Sequence, residues 1–267
     1  MSEDQHCQIE GLTWRIRQNA GPTILWLHGY TMNNQIWSII WDKLPGYSHL
    51  APDLPGHGRS CGIQEIQGLE QLATQIAQTA RSLNAQYLVG LSFGGIVGLQ
   101  IAIQYPSSFM GMVLNSSPVG GMDVDLDAQT KNLELVRLYQ EKGNGPWLTE
   151  AWIKSPPHIF TGIKQSENWP FLLQAIEQHR WEELADNQFA RFLAHRQLVP
   201  ALRSIDFPCL YLLGDEDMSH IKRSAELLKQ QYKKLTRKYL EGCGHLALFE
   251  KPATTLSLIN EYFLSLT

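Results

Sequence analysis

Charged residues make up only 18% of these 267 residues, the formal net charge is −4, and no long run of lysine and arginine occurs. The chain therefore lacks the electrostatic footprint of a nucleic-acid binder or of a protein that docks on anionic membranes. The two basic pairs, Lys233-Lys234 and Arg237-Lys238, read as a solvated face. No apolar run approaches the roughly 20 residues that span a bilayer, so no membrane partner is expected. Cysteine is scarce too. Cys7, Cys61, Cys209 and Cys243 show no C-x-x-C spacing, which argues against a disulfide framework and predicts free thiols in a reducing compartment. Nine histidines are present, but none pair as H-E-x-x-H, and no metal site is expected. The opening MSEDQHCQIEG is polar and acidic, without the basic and apolar regions of a secretory leader, so the expected location is cytoplasmic. Internal repeats and low-complexity tracts are absent.

What remains is the composition of an ordinary globular protein, 43% hydrophobic, long enough for one large α/β domain or two small ones. Residues 23–27 (TILWL) are continuously apolar, as suits a parallel strand covered on both faces. Residues 12–17 alternate instead and predict a half-exposed edge strand. Further strands are expected near 48–51 and over 86–91, 110–115, 209–213 and 235–240. Helical spacing marks 35–44, 69–83, 93–105 and 221–232, and Pro252 opens a last helix. Strand and helix in regular alternation imply a mostly parallel sheet with right-handed crossovers and helices on both faces. Between Gly120 and Ile205 the alternation stops. The expected organisation is a core of residues 1–119 and 206–267, with a helical cap of residues 120–205 inserted between sheet strands. Large aromatics are dense there, from Trp147 and Trp152 to Phe189 and Phe192. Such residues are expected mainly to form the cap's own core and its contact with the sheet, and some to line a pocket.

The stretch Gln86 to Gly98, QYLVGLSFGGIVG, carries the strongest chemical signal. In Gly90-Leu91-Ser92-Phe93-Gly94 a strand reverses straight into a helix, which crowds the backbone on either side of the serine where a Cβ would clash. The central residue is then strained and its side chain is lifted clear of the sheet. Because the helix starts immediately after Ser92, the Phe93 N–H is unpaired near the hydroxyl, where negative charge would develop during acyl transfer.

A serine hydroxyl needs a base, and the base works best when a carboxylate fixes its tautomer. His245 lies in Glu241-Gly-Cys-Gly-His245, a Gly-rich loop straight after a strand and at the carboxyl-end side of the sheet. His179, His195 and His220 sit in polar contexts and read as surface residues, while His28 and His57 sit in turns that they would shape. For the acid, Gly214-Asp215-Glu216-Asp217 follows a strand, and by position alone any of its three carboxylates qualifies; Asp123 and Asp125 are weaker candidates.

His28-Gly29, Asp53-Leu-Pro-Gly-His-Gly-Arg-Ser60, Gly90-Leu-Ser-Phe-Gly-Gly95, Gly214-Asp-Glu-Asp217 and Gly242-Cys-Gly-His245 together resemble the α/β-hydrolase superfamily, from about Thr23 to the end of the chain. That resemblance implies the α/β-hydrolase fold, assigns the acid to Asp217, and makes Tyr30 the second backbone donor beside Phe93. It leaves the turn at 53–60 a structural role and implies no cofactor. A serine at the elbow separates the chain from the epoxide hydrolases and haloalkane dehalogenases, which place an aspartate there. Within the serine branch the motifs resemble small-ester and lactone hydrolases, such as the pimeloyl-carrier-protein methyl ester esterases and oxoadipate enol-lactonases. The expected function is therefore hydrolysis of a small to medium carboxylic ester, thioester or lactone through an acyl-enzyme, by a monomer or homodimer. The motifs are also similar to those of the menaquinone-pathway cyclohexadiene-carboxylate synthases, lyases with the same triad. Those lyases typically carry an arginine four residues after the serine, where this chain has Ile96, and an S-P-G-L-like run that is missing after Asn115. Arg137 or Arg180 is left to hold an anion if the lyase chemistry applies. A ligand receptor on a retained hydrolase scaffold is the third alternative. Ile96 and the cap residue Trp152 are the candidates for lining the substrate pocket.

Overall fold

The apolar runs of the sequence become the middle strands of one eight-stranded sheet. In the computed structural model, which describes residues 3–267, the strands are β1 (Gln5–Ile9), β2 (Leu12–Arg17), β3 (Thr23–Leu27), β4 (Ser48–Pro52), β5 (Ala85–Leu91), β6 (Gly111–Asn115), β7 (Cys209–Gly214) and β8 (Leu235–Leu240). Their spatial order is β1-β2-β4-β3-β5-β6-β7-β8. β1, β2 and β4 pair antiparallel, and every pair from β4 through β3 to β8 is parallel. Successive residues of β3 feed opposite faces, Leu25 and Leu27 into one apolar layer, Ile24 and Trp26 into the other, which is why that strand is apolar throughout.

The helices are α1 (Ser38–Trp41), α2 (Leu69–Ser82), α3 (Phe93–Gln104), α4 (Leu126–Lys142), α5 (Pro146–Trp152), α6 (Trp169–Glu177), α7 (Gln188–Leu193), α8 (Ser219–Gln231), α9 (Ala247–Glu250) and α10 (Pro252–Leu264). Both layers are helix-covered, α2, α3 and α8 packing into one and α1, α9 and α10 into the other. Between β6 and β7 the chain forms only helices and short 3-10 turns, α4 to α7. Among the described residues no helix is long and apolar enough to cross a membrane.

Two local expectations fail. β2 is not a half-exposed edge strand: it lies second from the edge, because β1, invisible in the sequence pattern, pairs along its outer side. Its polar face is buried as well, since the Arg15 guanidinium sits 4.6 Å over the Trp41 ring and pairs with Asp4. Residues 35–44 are not one helix but a 3-10 turn, Asn34–Trp37, followed by the single turn α1. Asn33 caps it through its side chain, accepting from the Gln35 N–H at 3.0 Å.

Candidate active site

Each glycine around Ser92 meets backbone or a fixed side chain. A Cβ on Gly90 would lie 2.8 Å from the Gly95 Cα, and one on Gly94 would lie 2.1 Å from the Leu27 carbonyl oxygen. No side chain fits either place, so β5, α3 and β3 approach as closely as bare backbone allows. Ser92 pays for that approach with φ 51° and ψ −115°, outside the regions open to an L-residue. Its N–H donates to the Asn115 carbonyl at 3.0 Å, tying the turn to the end of β6.

The structure brings Ser92, His245 and Asp217 together. His245 Nε2 lies 2.9 Å from Ser92 Oγ, and its Nδ1 lies 2.9 Å from Asp217 Oδ1. The His245 side chain is 5% exposed and that of Asp217 fully buried, so the pair is screened from water. Asp215 and Glu216 are exposed, and Asp215 accepts from the Cys243 N–H at 3.3 Å instead. The loops after β7 and β8 touch at Gly214, where a Cβ would lie 2.2 Å from the carbonyl oxygens of Cys243 and Gly244. Asp217 Oδ1 also accepts from the Met218 N–H at 2.7 Å, which orients the carboxylate. Its Oδ2 is buried with no protein partner among the described residues.

Ser92 and His245 open on a cavity of about 480 Å³ between the sheet edge and the helical insertion. Ile96 and Trp152 both line it, as do Tyr30 and Phe93. The backbone N–H groups of Tyr30 and Phe93 make no hydrogen bond within the protein among the described residues. Of the insertion's large aromatics, Trp152, Phe160 and Phe189 reach the cavity, while Trp181 and Phe192 are packed away from it. No lysine or arginine lines the cavity among the described residues, and Asp123 is the carboxylate on its wall. Neither candidate anion binder reaches it. Arg137 pairs with Glu141 at 2.7 Å on the surface, and Arg180 donates to the Ser60 carbonyl at 2.8 Å.

The turn at 53–60 is held by Asp53, which accepts from the Asn34 N–H at 2.7 Å and the Arg59 N–H at 3.0 Å. Burial pushes its carboxyl up from the ordinary range. His28 and His57 shape backbone: His28 Nε2 accepts from the Leu54 N–H at 2.9 Å, His57 Nε2 from the Thr31 N–H at 3.1 Å. Burial brings His28 down to about 4 and His57 well below its ordinary value, so both stay neutral and keep the lone pair these bonds need.

Two surface assignments are wrong. His179 is buried against Glu183, Nε2 to Oε1 at 2.9 Å, and His220 is buried on the cavity wall with Nδ1 3.0 Å from Asp125. For His179 a polar sequence neighbour is the partner, so a residue that suggested solvent supplies the bond; His220 pairs instead with Asp125, 95 positions away. Two positioning groups were missed. Asn115, at the end of apolar β6, accepts the Ser92 N–H through its carbonyl and the Leu248 N–H through Oδ1 at 3.2 Å. Glu250 accepts from the Gly244 N–H at 2.8 Å and the Leu246 N–H at 3.1 Å, bracketing His245. A lone asparagine ending an apolar strand was the available signal for the first; nothing local marks the second.

Comparison with known proteins agrees with this architecture. A 2-succinyl-6-hydroxy-2,4-cyclohexadiene-1-carboxylate synthase of Enterobacter sp. (strain 638) is 28% identical over 248 residues, covering 89% of this chain and 90% of that protein. The same fold is found in a thermophilic esterase from Thermogutta terrifontis, with a TM-score of 0.78 at 20% identity over 99% of both chains. It is found also in MenH from S. aureus, with a TM-score of 0.81 at 18% identity over 95% of this chain and 98% of that one. Residues 24–258 match the model of the alpha/beta hydrolase family, and the chain belongs to that family.

Proposed function

We propose that this protein is a serine hydrolase that cleaves a neutral carboxylic ester, thioester or lactone of small to medium size through an acyl-enzyme. The observation that carries this reading is the cavity beside Ser92, whose walls hold no lysine or arginine among the described residues. A substrate with several carboxylates would be desolvated there without a counter-ion, at a cost its binding could not offset. An uncharged acyl group loses only its contact with water.

In this mechanism His245 Nε2 takes the proton from Ser92 Oγ as the oxygen attacks the carbonyl carbon, and Asp217 holds Nδ1–H and stabilises the imidazolium. The unpaired N–H groups of Tyr30 and Phe93 receive the oxyanion. The tetrahedral intermediate collapses with His245 returning its proton to the leaving alcohol or thiol. Water then attacks the Ser92 ester, loses its proton to the same nitrogen, and releases the acid. Residues 120–205 act as a cap that supplies the far wall of the pocket. The four free cysteines suit a reducing compartment, in keeping with a cytoplasmic enzyme.

The second reading is the lyase reaction, favoured by the synthase relative at 28% identity. One experiment separates the two: label the protein with a fluorophosphonate, map the site, then assay a neutral acyl-chain series alongside the anionic cyclic substrate of the synthases. Labelling at Ser92 with turnover of the neutral series supports the hydrolase. Pyruvate elimination from the cyclic acid without ester turnover would overturn it.

A further inference from the structure

Tyr30 has two faces toward the site. Its backbone N–H is free beside Ser92, while its side chain runs into the seam between sheet and cap. There the hydroxyl donates to Glu183 Oε1 at 2.5 Å, across 153 positions of sequence, and the ring stacks on Phe189 with centroids 3.9 Å apart. Glu183 sits in a 3-10 turn, Glu182–Leu184, and is itself held by His179 Nε2 at 2.9 Å, both side chains being 1% exposed. Burial raises the Tyr30 hydroxyl well above its ordinary value, and the Glu183 charge raises it further. Burial also acts to raise Glu183, yet the electrostatic attraction of His179, with the bonds from His179 and Tyr30, outweighs it and holds the carboxyl low. Donor and acceptor are therefore fixed, a neutral phenol on a carboxylate.

The next residue shows what this tether works against. Thr31 adopts φ 62°, a conformation that a β-branched residue rarely enters unless its surroundings impose it. Three contacts impose it: the Thr31 N–H on His57 Nε2 at 3.1 Å, the Trp152 indole N–H on Thr31 Oγ1 at 2.9 Å, and the Tyr30–Glu183 bond. Two of the three come from the cap. Across the same seam His179 Nδ1 and Glu183 Oε2 are buried without a hydrogen-bond partner among the described residues, and Arg180 Nε has only a 3.8 Å ion pair to Glu182. A half-satisfied polar seam regains hydration when it parts, so it is easier to undock than an apolar one.

We infer that Glu183, seated by His179, is a positioning residue that sets the Tyr30 backbone N–H through the Tyr30 hydroxyl, so that the oxyanion site is complete only while the cap is docked. This rests on the hydrolase reading above for its kinetic consequence, but not for the tether itself. The test is a set of variants assayed on p-nitrophenyl butyrate, together with amide exchange at Thr31 and Met32 followed by NMR. Tyr30→Phe, which removes one oxygen and leaves the ring stack, lowers kcat about 10-fold because the donor is displaced and not deleted. KM stays within about twofold, since the contact matters in the transition state. Glu183→Ala does the same, and Glu183→Gln, which keeps an acceptor, restores most of the rate. In both damaging variants the Thr31 amide exchanges at least about threefold faster, while α3 amides are unchanged. Lowered melting temperature with kcat and Thr31 exchange intact overturns the inference, as does a rise confined to KM. If the parent protein turns over no ester, the hydrolase reading falls and Thr31 exchange alone decides: acceleration in Tyr30→Phe upholds the tether, and no change sinks it.

Discussion

The two walls of the cavity are built by opposite means. On the sheet side, chain segments meet backbone to backbone: Gly94 against Leu27, Gly90 against Gly95, Gly214 against Cys243 and Gly244. On the insertion side, contact is made by side chains, with Trp152, Phe160 and Phe189 on the cavity and the Tyr30–Glu183–His179 chain at the seam. Backbone contacts allow no adjustment, so the first wall holds Ser92 and His245 at a fixed separation. Side-chain contacts can be resized one at a time, so the second wall suits choice of substrate and movement. The lesson is that positional precision and adaptability are separated in space.

The largest expected effect breaks the sheet wall chemically. Ser92→Ala lowers kcat for p-nitrophenyl butyrate about 10⁶-fold, and Asp217→Asn about 10⁴-fold by presenting the wrong tautomer of His245; both are read by steady-state kinetics on protein of unchanged melting temperature. The next breaks it sterically. Gly94→Ala drives a methyl to 2.1 Å from the Leu27 oxygen and costs at least about 3 kcal/mol by urea unfolding. Gly46→Ala, with nothing within 4 Å of the new Cβ, changes stability by under about 1 kcal/mol.

A third prediction probes by pH the buried side chains behind the sheet wall. Burial depresses His28 and His49 from 6.5 to about 4, and His49 is locked neutral by accepting from Trp26 Nε1 and donating to the Leu44 carbonyl, each at 3.1 Å. Above the unfolded value neither state is protonated and the groups have no effect. As pH falls from about 6.5 towards 4, the unfolded chain takes up protons that the folded one refuses, and stability drops across that window. The loss is on the order of 3 kcal/mol per histidine at most, seen as a falling urea midpoint that His49→Gln makes shallower. Smallest is the effect of resizing the insertion wall. Ile159, half-buried on the cavity, can be shortened or enlarged: Ile159→Ala moves the preferred acyl chain longer and Ile159→Trp shorter, with kcat/KM for a given chain changing about 10-fold. A series in which both variants leave the preference untouched would show that this wall does not select the acyl group.

Legibility divides along the same line. The elbow could be read from a pentapeptide because its requirement is local: two glycines, a serine and a helix start make the turn wherever it occurs. β3 was legible because a strand buried on both faces must be apolar at every position. β2 was misjudged because alternation normally means one wet face, and here Arg15 laid over Trp41 keeps a polar face dry. His179 was misjudged because Arg180, Glu182 and Glu183 look like solvent-facing company, although Glu183 is its buried partner.

The amino-acid sequence by itself determined the fold family, the order of strands β2 to β8 with the core helices α2, α3, α8 and α10, and the identities of a serine and a histidine that a glycine-shaped backbone would present. These are short-range consequences of steric and hydrophobic rules that hold within a few residues. Only the tertiary structure decided that Asp217 is the buried carboxylate while Asp215 and Glu216 face water, that no lysine or arginine among the described residues lines the cavity, and that Tyr30 is tied to Glu183. Each of these depends on which distant segments meet. A carboxylate's burial and a hydroxyl's partner are set by neighbours in space, and over 153 positions of chain no local propensity specifies who those neighbours are.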